Sequence, residues 1–139
     1  MDKELLILAI EDYRKKSKEL MFLLANKFEL DISKEEDYNN LVSRSFDDDE
    51  IPRRGELSKK WNYSFHGMEC GFYNRKTKQN VEVKLIHPPN FGVVESWFLL
   101  SFMKSTKPYK ELSEHLDWKH LDSILKQLYK ENKIEEIKD

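Results

Sequence analysis

Four side chains near the middle of the chain have the types that chemistry needs: His66, Glu69, Cys70 and His87. A nucleophilic cysteine works as the thiolate. It needs an imidazole in hydrogen-bond contact and a third group to orient that imidazole. His66 and Cys70 flank Gly67 and would stand on successive strands across a turn, so contact between them is open. No oxyanion-hole signature accompanies them, and Cys70 occupies a core-type position, where a free cysteine behaves as a small hydrophobe. The spacing of His66, Glu69, Cys70 and His87 matches no standard zinc interval, and one cysteine excludes a multi-cysteine cluster or an internal disulfide. With only four glycines in 139 residues, and no phosphate loop, GxSxG elbow or HExxH helix, neither a metal nor a cofactor is expected. The structural reading of these residues is the stronger one. Gly67 at a strand end supplies a positive φ or a bulge, and His66 bonds the backbone of that turn.

The elements that would position these residues can be read from periodicity. Trp61 to His66 alternates aromatic and polar residues, the pattern of a strand with one buried face. Cys70 and Phe72 continue a second strand, Arg75 to Asn80 forms a polar hairpin tip, and Val81, Val83 and Leu85 alternate in a third strand reaching Ile86. Three such strands form a meander, which requires a helix against its apolar face. Leu6, Ile10, Tyr13, Leu20, Leu24 and Phe28 mark that helix over residues 3–27. Ser33-Lys34-Glu35-Glu36 reads as a capping box before a short helix through Tyr38, Leu41 and Val42, ending near Ser45. Pro52 and Gly55 mark a turn into the sheet, and His87-Pro88-Pro89 ends the ladder. WFLLSFMKS, opened by Glu95 or Ser96, is apolar almost all round and is expected to be buried. A short helix over Tyr109–His115 follows, then one capped by Asp117 and ended by Asn132, with Ile134 and Ile137 as a short terminal strand. The expected architecture is a single α+β domain over residues 1–139. A long N-terminal amphipathic helix packs on a three- to four-stranded antiparallel meander, with helices at the C-terminal end.

Charge narrows the function classes. Charged residues make up 36% of the chain, yet the net charge is only −2, which argues against nucleic-acid or anionic-membrane binding by bulk charge. Apolar runs fall short of the roughly 20 residues of a membrane span. The first charged residue after the apolar N-terminal run is Glu11, too early for a secretory core, so a cytoplasmic protein is expected. The distribution is more informative than the total. Residues 31–50 carry eight acids (Asp31, Glu35, Glu36, Asp37, Asp47, Asp48, Asp49, Glu50) against Lys34 and Arg44, a net of −6. Residues 51–86 carry eight bases against three acids, a net of +5. Either the two segments neutralise each other, or the acidic one faces a basic partner.

Four pieces stand in a recognisable order: IPRRGEL (Ile51–Leu57), FHGMEC (Phe65–Cys70), VEVKL (Val81–Leu85) and ESWFLLSF (Glu95–Phe102). Together they resemble a family of small bacterial proteins of unknown function, with an I-P-x-x-G-x-L turn, an F-H-G-x-x-C element and a helix opening on W-x-L. That resemblance implies structural roles for His66, Gly67, Cys70 and Trp97. The family's strand end is acidic, whereas here it reads Val83-Lys84-Leu85-Ile86-His87, so any chemistry based on those acids is not expected. In size and charge character the chain is also similar to bacterial toxin-immunity proteins, which bind one toxin domain and block it without catalysis.

The expectation is therefore a non-enzymatic binding protein of the immunity type, with a basic toxin domain as partner. Its recognition surface would be Glu35, Glu36, Asp37, Asp47, Asp48, Asp49 and Glu50. One alternative is a small enzyme using His66 with Cys70 or Glu69. Another is a nucleic-acid accessory protein using the basic hairpin between Arg53 and Lys84.

Overall fold

A computed structural model describes residues 1–46 and 50–137. Its elements, in chain order, are α1 (Lys3–Lys27), α2 (Glu35–Phe46), β1 (Arg54–Glu56), β2 (Trp61–His66), β3 (Glu69–Asn74), β4 (Asn80–Lys84), α3 (Ser96–Lys104), α4 (Lys107–Ser113) and α5 (Trp118–Lys130). The expected α+β arrangement is present, with a long N-terminal helix, a four-stranded antiparallel sheet in the order β1-β2-β3-β4, and helices after it.

Asp2 starts α1 by accepting the Leu5 N–H at 3.0 Å, and Leu6, Ile10, Tyr13, Leu20, Met21 and Leu24 are buried along one face. The helix stops where Glu29 takes φ +59 and the Leu30 N–H reaches the Ala25 carbonyl at 2.9 Å, a Schellman-type closure. In the sheet, His66 pairs with Glu69 across the two-residue loop Gly67-Met68, and Gly67 takes φ +57. A positive φ at the first loop residue is the II′ pattern that suits the twist of a hairpin. Side chains then alternate. Tyr63, Phe65, Cys70, Phe72, Val81 and Val83 point into the core, while Asn62, Ser64, His66, Glu69, Tyr73, Asn80 and Glu82 lie on the other face.

The core lies between that inner face, α1 and α3. Within it the rings of Tyr13 and Phe102 meet edge-on with centroids 5.7 Å apart. Strand β4 is an edge of the sheet, and each of its three outward-facing residues is engaged from outside the sheet. The Asn80 N–H donates to Ser105 Oγ at 2.9 Å, the Glu82 carbonyl accepts from the Tyr13 hydroxyl, and Lys84 forms a bridge with Asn90.

Four local expectations need correction. Ser33 is not the cap of α2: the helix begins at Glu35, with the Lys34 carbonyl accepting the Tyr38 N–H at 3.0 Å, while the Ser33 hydroxyl donates to Asp31 Oδ1 at 2.6 Å and Asp37 rather than Glu36 reaches back, accepting the Asp31 N–H at 2.8 Å. An aspartate two residues upstream captures the serine in a tighter local turn. The third strand ends at Lys84 rather than Ile86: the Leu85 N–H still reaches the Met68 carbonyl at 2.7 Å, in register with the Lys84–Glu69 pair, but Met68 belongs to the hairpin loop and β3 offers no partner beyond it. Residues 134–137 form no strand: Ile134 is buried, and Arg14 Nη2 donates to the Glu135 carbonyl at 2.6 Å, so the segment lies along α1 while the β4 edge is already closed. Trp97 is 63% exposed, although the rest of its helix is largely buried. Phe98, Leu99, Phe102 and Met103 take the inward positions, and a residue one step before that set faces out.

Candidate functional site

The four residues with chemical potential are distributed over three places. His66 and Glu69 are cross-strand partners on the outer face, whereas Cys70 pairs with Phe65 on the inner face and is fully buried. The sheet therefore separates His66 from Cys70. Burial also pushes the Cys70 thiol far above its ordinary range, leaving it protonated. His87 stands elsewhere, with its ring 5.3 Å from that of Tyr38. No group of three or more His, Cys, Asp or Glu among the described residues is placed to hold a metal ion.

The outer face carries a small depression of about 130 Å³, bordered by Asn62, Ser64, His66, Tyr73, Asn80 and Glu82 around Gly71. The His66 ring lies over Gly71, where a Cβ would meet Cδ2 at an ordinary contact distance of 3.7 Å. The Glu82 carboxyl is held above the usual glutamate range, first by burial and then by the nearby Glu69, with His66 opposing both. A raised native value means that the folded state binds the proton more tightly. Stability conferred by Glu82 is therefore full below the ordinary glutamate value and falls as pH rises through the native one. Glu82→Gln is expected to raise the melting temperature at pH 7, with the gain vanishing below about pH 4.3. Thermal melts across pH check this, and a gain that persists unchanged in acid would remove the cause given.

The acidic residues are also divided. Glu35 and Glu36 are exposed in the first turn of α2, where they complement the positive end of the helix dipole. Asp37 is committed to the Asp31 backbone, and Glu50 pairs with Arg44 at 2.9 Å beside the last turn. Twelve residues of helix make about 18 Å, so the Glu35–Glu36 pair and Glu50 mark opposite ends of α2. Asp47, Asp48 and Asp49 lie outside the described residues. Of the basic hairpin, Arg75 is turned back on its own domain, donating to the Ser58 and Trp61 carbonyls at 2.8 and 3.4 Å and to Asn62 Oδ1.

Between the two ends of α2 lies a feature that periodicity did not reveal. A groove of about 620 Å³ runs between Tyr38, Asn39, Val42 and Ser43 of α2, the hairpin residue Met68, and Leu85, Ile86 and His87. Met68 is 56% exposed at the β2–β3 tip. An apolar residue in a two-residue hairpin loop was the one available sequence signal. Tyr38 is almost wholly buried, and its hydroxyl finds no hydrogen-bond partner among the described residues. An orphaned buried hydroxyl is a liability, so Tyr38→Phe is expected to hold or raise stability, by up to about 1 kcal/mol. Urea denaturation decides it, and a loss above that size would mean the hydroxyl is satisfied.

An exposed aromatic, Trp97, borders a smaller hollow of about 410 Å³ with Asn80, Leu100, Ser101, Lys104 and Ser105. No helix among the described residues is long and apolar enough to cross a membrane. Compared with known proteins, residues 6–139 match the model of a family described as Domain of unknown function (DUF6896). No curated protein and no solved structure matches the chain.

Proposed function

The chain belongs to the DUF6896 family, whose description assigns no activity, and on that premise we propose a non-enzymatic binding protein of the immunity type. It neutralises a basic toxin domain in the cytoplasm by covering the toxin's active site. The observation that carries this reading is the surface around α2. Exposed carboxylates stand at its two ends, Glu35 and Glu36 at one and Glu50 at the other, with the groove and Met68 between them. An apolar centre inside a charged rim is the usual anatomy of a protein interface. Complementary charge adds speed to the encounter and selects against acidic partners.

The test is co-purification with the product of the neighbouring gene, followed by association kinetics at two salt concentrations. Capture is expected, with an on-rate that falls as salt rises and drops at least about tenfold in the double variant Glu35→Lys, Glu36→Lys. A neighbour unrelated to toxins, together with no retention, removes the proposal.

A second reading, a small enzyme using His66 with Glu69, is favoured by one observation: a carboxyl with a raised pKa, Glu82, stands in the same depression. His66→Ala discriminates. If cellular protection is lost while capture of the partner is intact, the enzymatic reading takes precedence.

A further inference from the structure

We infer that the end of the sheet opposite Met68 binds single-stranded nucleic acid, a property separate from the capture of a toxin. Three turns meet there. The turn before β2 holds Lys59 and Lys60, the β3–β4 loop holds Arg75, Lys76 and Lys78, and the junction of α3 with α4 holds Lys104 and Lys107. Residues 57–60, 75–79 and 104–107 include no acid. Hydrogen bonds join the three turns into one surface. The Arg75 N–H donates to the Lys60 carbonyl at 2.7 Å, Gln79 Nε2 to Thr106 Oγ1 at 3.2 Å, and the Asn80 N–H to Ser105 Oγ at 2.9 Å. Arg75 acts as the clasp, its guanidinium donating to the Ser58 carbonyl at 2.8 Å and to that of Lys59. The six lysines are exposed, and none forms an ion pair among the described residues. A chain of net charge −2 therefore gathers unpaired cations at one end of its sheet, while the groove beside α2 opens at the other, around Met68. Local charge of this kind attracts a polyanion whatever the total.

Two exposed rings select the class of polyanion. Tyr73, 40% exposed, is the cross-strand partner of Asn80, and Trp97, 63% exposed, borders one hollow with Asn80, Lys104 and Ser105. A ring thus stands on each side of Asn80, one on β3 and one beyond the β4 edge on α3. The Asn80 amide is itself exposed and can both donate and accept. Unpaired bases stack on such rings whatever their identity, while lysines follow the phosphates. A duplex keeps its bases stacked on one another and leaves both rings unused. An anionic membrane would answer the lysines, but the rings sit among Asn80, Ser101 and Ser105, hydrogen-bonding groups that suit base edges better than acyl chains.

The experiment is fluorescence anisotropy of the whole chain with a labelled oligo-dT of about 12 nucleotides, a length within the usual range of single-strand sites. Binding is expected at low salt, weakening roughly fiftyfold over a fourfold rise in salt, as the neutralisation of about four phosphates requires. The triple variant Lys76→Glu, Lys78→Glu, Lys104→Glu is expected to bind at least about tenfold more weakly. Lys119→Glu, Lys130→Glu, Lys133→Glu makes the same change of net charge on and after α5, and is expected to cost less than about twofold, because screened distant charges contribute little. Trp97→Ala is expected to weaken binding about fivefold or more at every salt concentration, without changing the salt slope. All seven positions are exposed, so the variants keep the core intact. Several results overturn the inference: no binding at low salt, equal losses in the two triple variants, an unchanged affinity in Trp97→Ala, or a duplex of equal length that binds as tightly. Phosphatidylserine vesicles that bind the chain while the oligonucleotide does not would make the surface a membrane contact instead. Toxin capture is read separately, so either property can fail while the other stands.

Discussion

Phe102→Ala is expected to cost about 3–5 kcal/mol. The ring is fully buried in α3 and contacts both Tyr13 of α1, with centroids 5.7 Å apart, and Tyr109 of α4, with centroids 6.1 Å apart. Removing it empties a place where α1, α3 and α4 meet. The methyl that remains cannot draw three helices together, because α1 is also tied to the sheet through Tyr13. Since domains of this size hold about 5–15 kcal/mol in total, the variant should be close to unfolding at room temperature. Urea denaturation measures it. A loss below about 1 kcal/mol would mean that the three helices are held by something other than this ring.

Tyr13→Phe is expected to destabilise by about 1–2 kcal/mol, the second prediction of weight. Its hydroxyl is buried and donates to the Glu82 carbonyl on the outward side of β4. Phenylalanine keeps the ring and its contact with Phe102 but leaves that carbonyl without its donor. The contrast with Tyr38→Phe is the useful control. Both variants delete one buried tyrosine hydroxyl, yet one hydroxyl is bonded and the other is not, so the signs should differ. Melts of the two variants side by side test this directly. If both shift stability in the same direction, the assignment of bonded and orphaned hydroxyls fails.

Much of this was legible in the chain itself. Helix α1 could be bounded at residues 3–27 because its apolar positions repeat at helical spacing over seven turns and charges fill the gaps. Strands β2 and β4 announced themselves through alternation at Trp61–His66 and at Val81, Val83. Strand β1 did not, because Arg54-Gly55-Glu56 is three residues long with no alternation to detect. The separation of His66 from Cys70 was within reach. A two-residue loop at Gly67-Met68 pairs residue 66 with 69 and therefore 65 with 70, which puts 66 and 70 on opposite faces. The groove was not within reach, since it joins residues 38–43, 68 and 85–87, and no local pattern links segments so far apart. The acidic residues were visible as charge. Their division between the two ends of α2 depended on a helix length that the sequence marked only loosely.

The closed edge of β4 carries a consequence for how the chain comes to be folded. The groups that cover it belong to residues 13, 90 and 105, so the last of them is made more than twenty residues after the strand itself. Until Ser105 has been synthesised and α3 has docked, the Asn80 end of the strand is open to any neighbouring chain. Edge protection here is completed only with α3, and a nascent chain halted between β4 and α3 carries that open strand end.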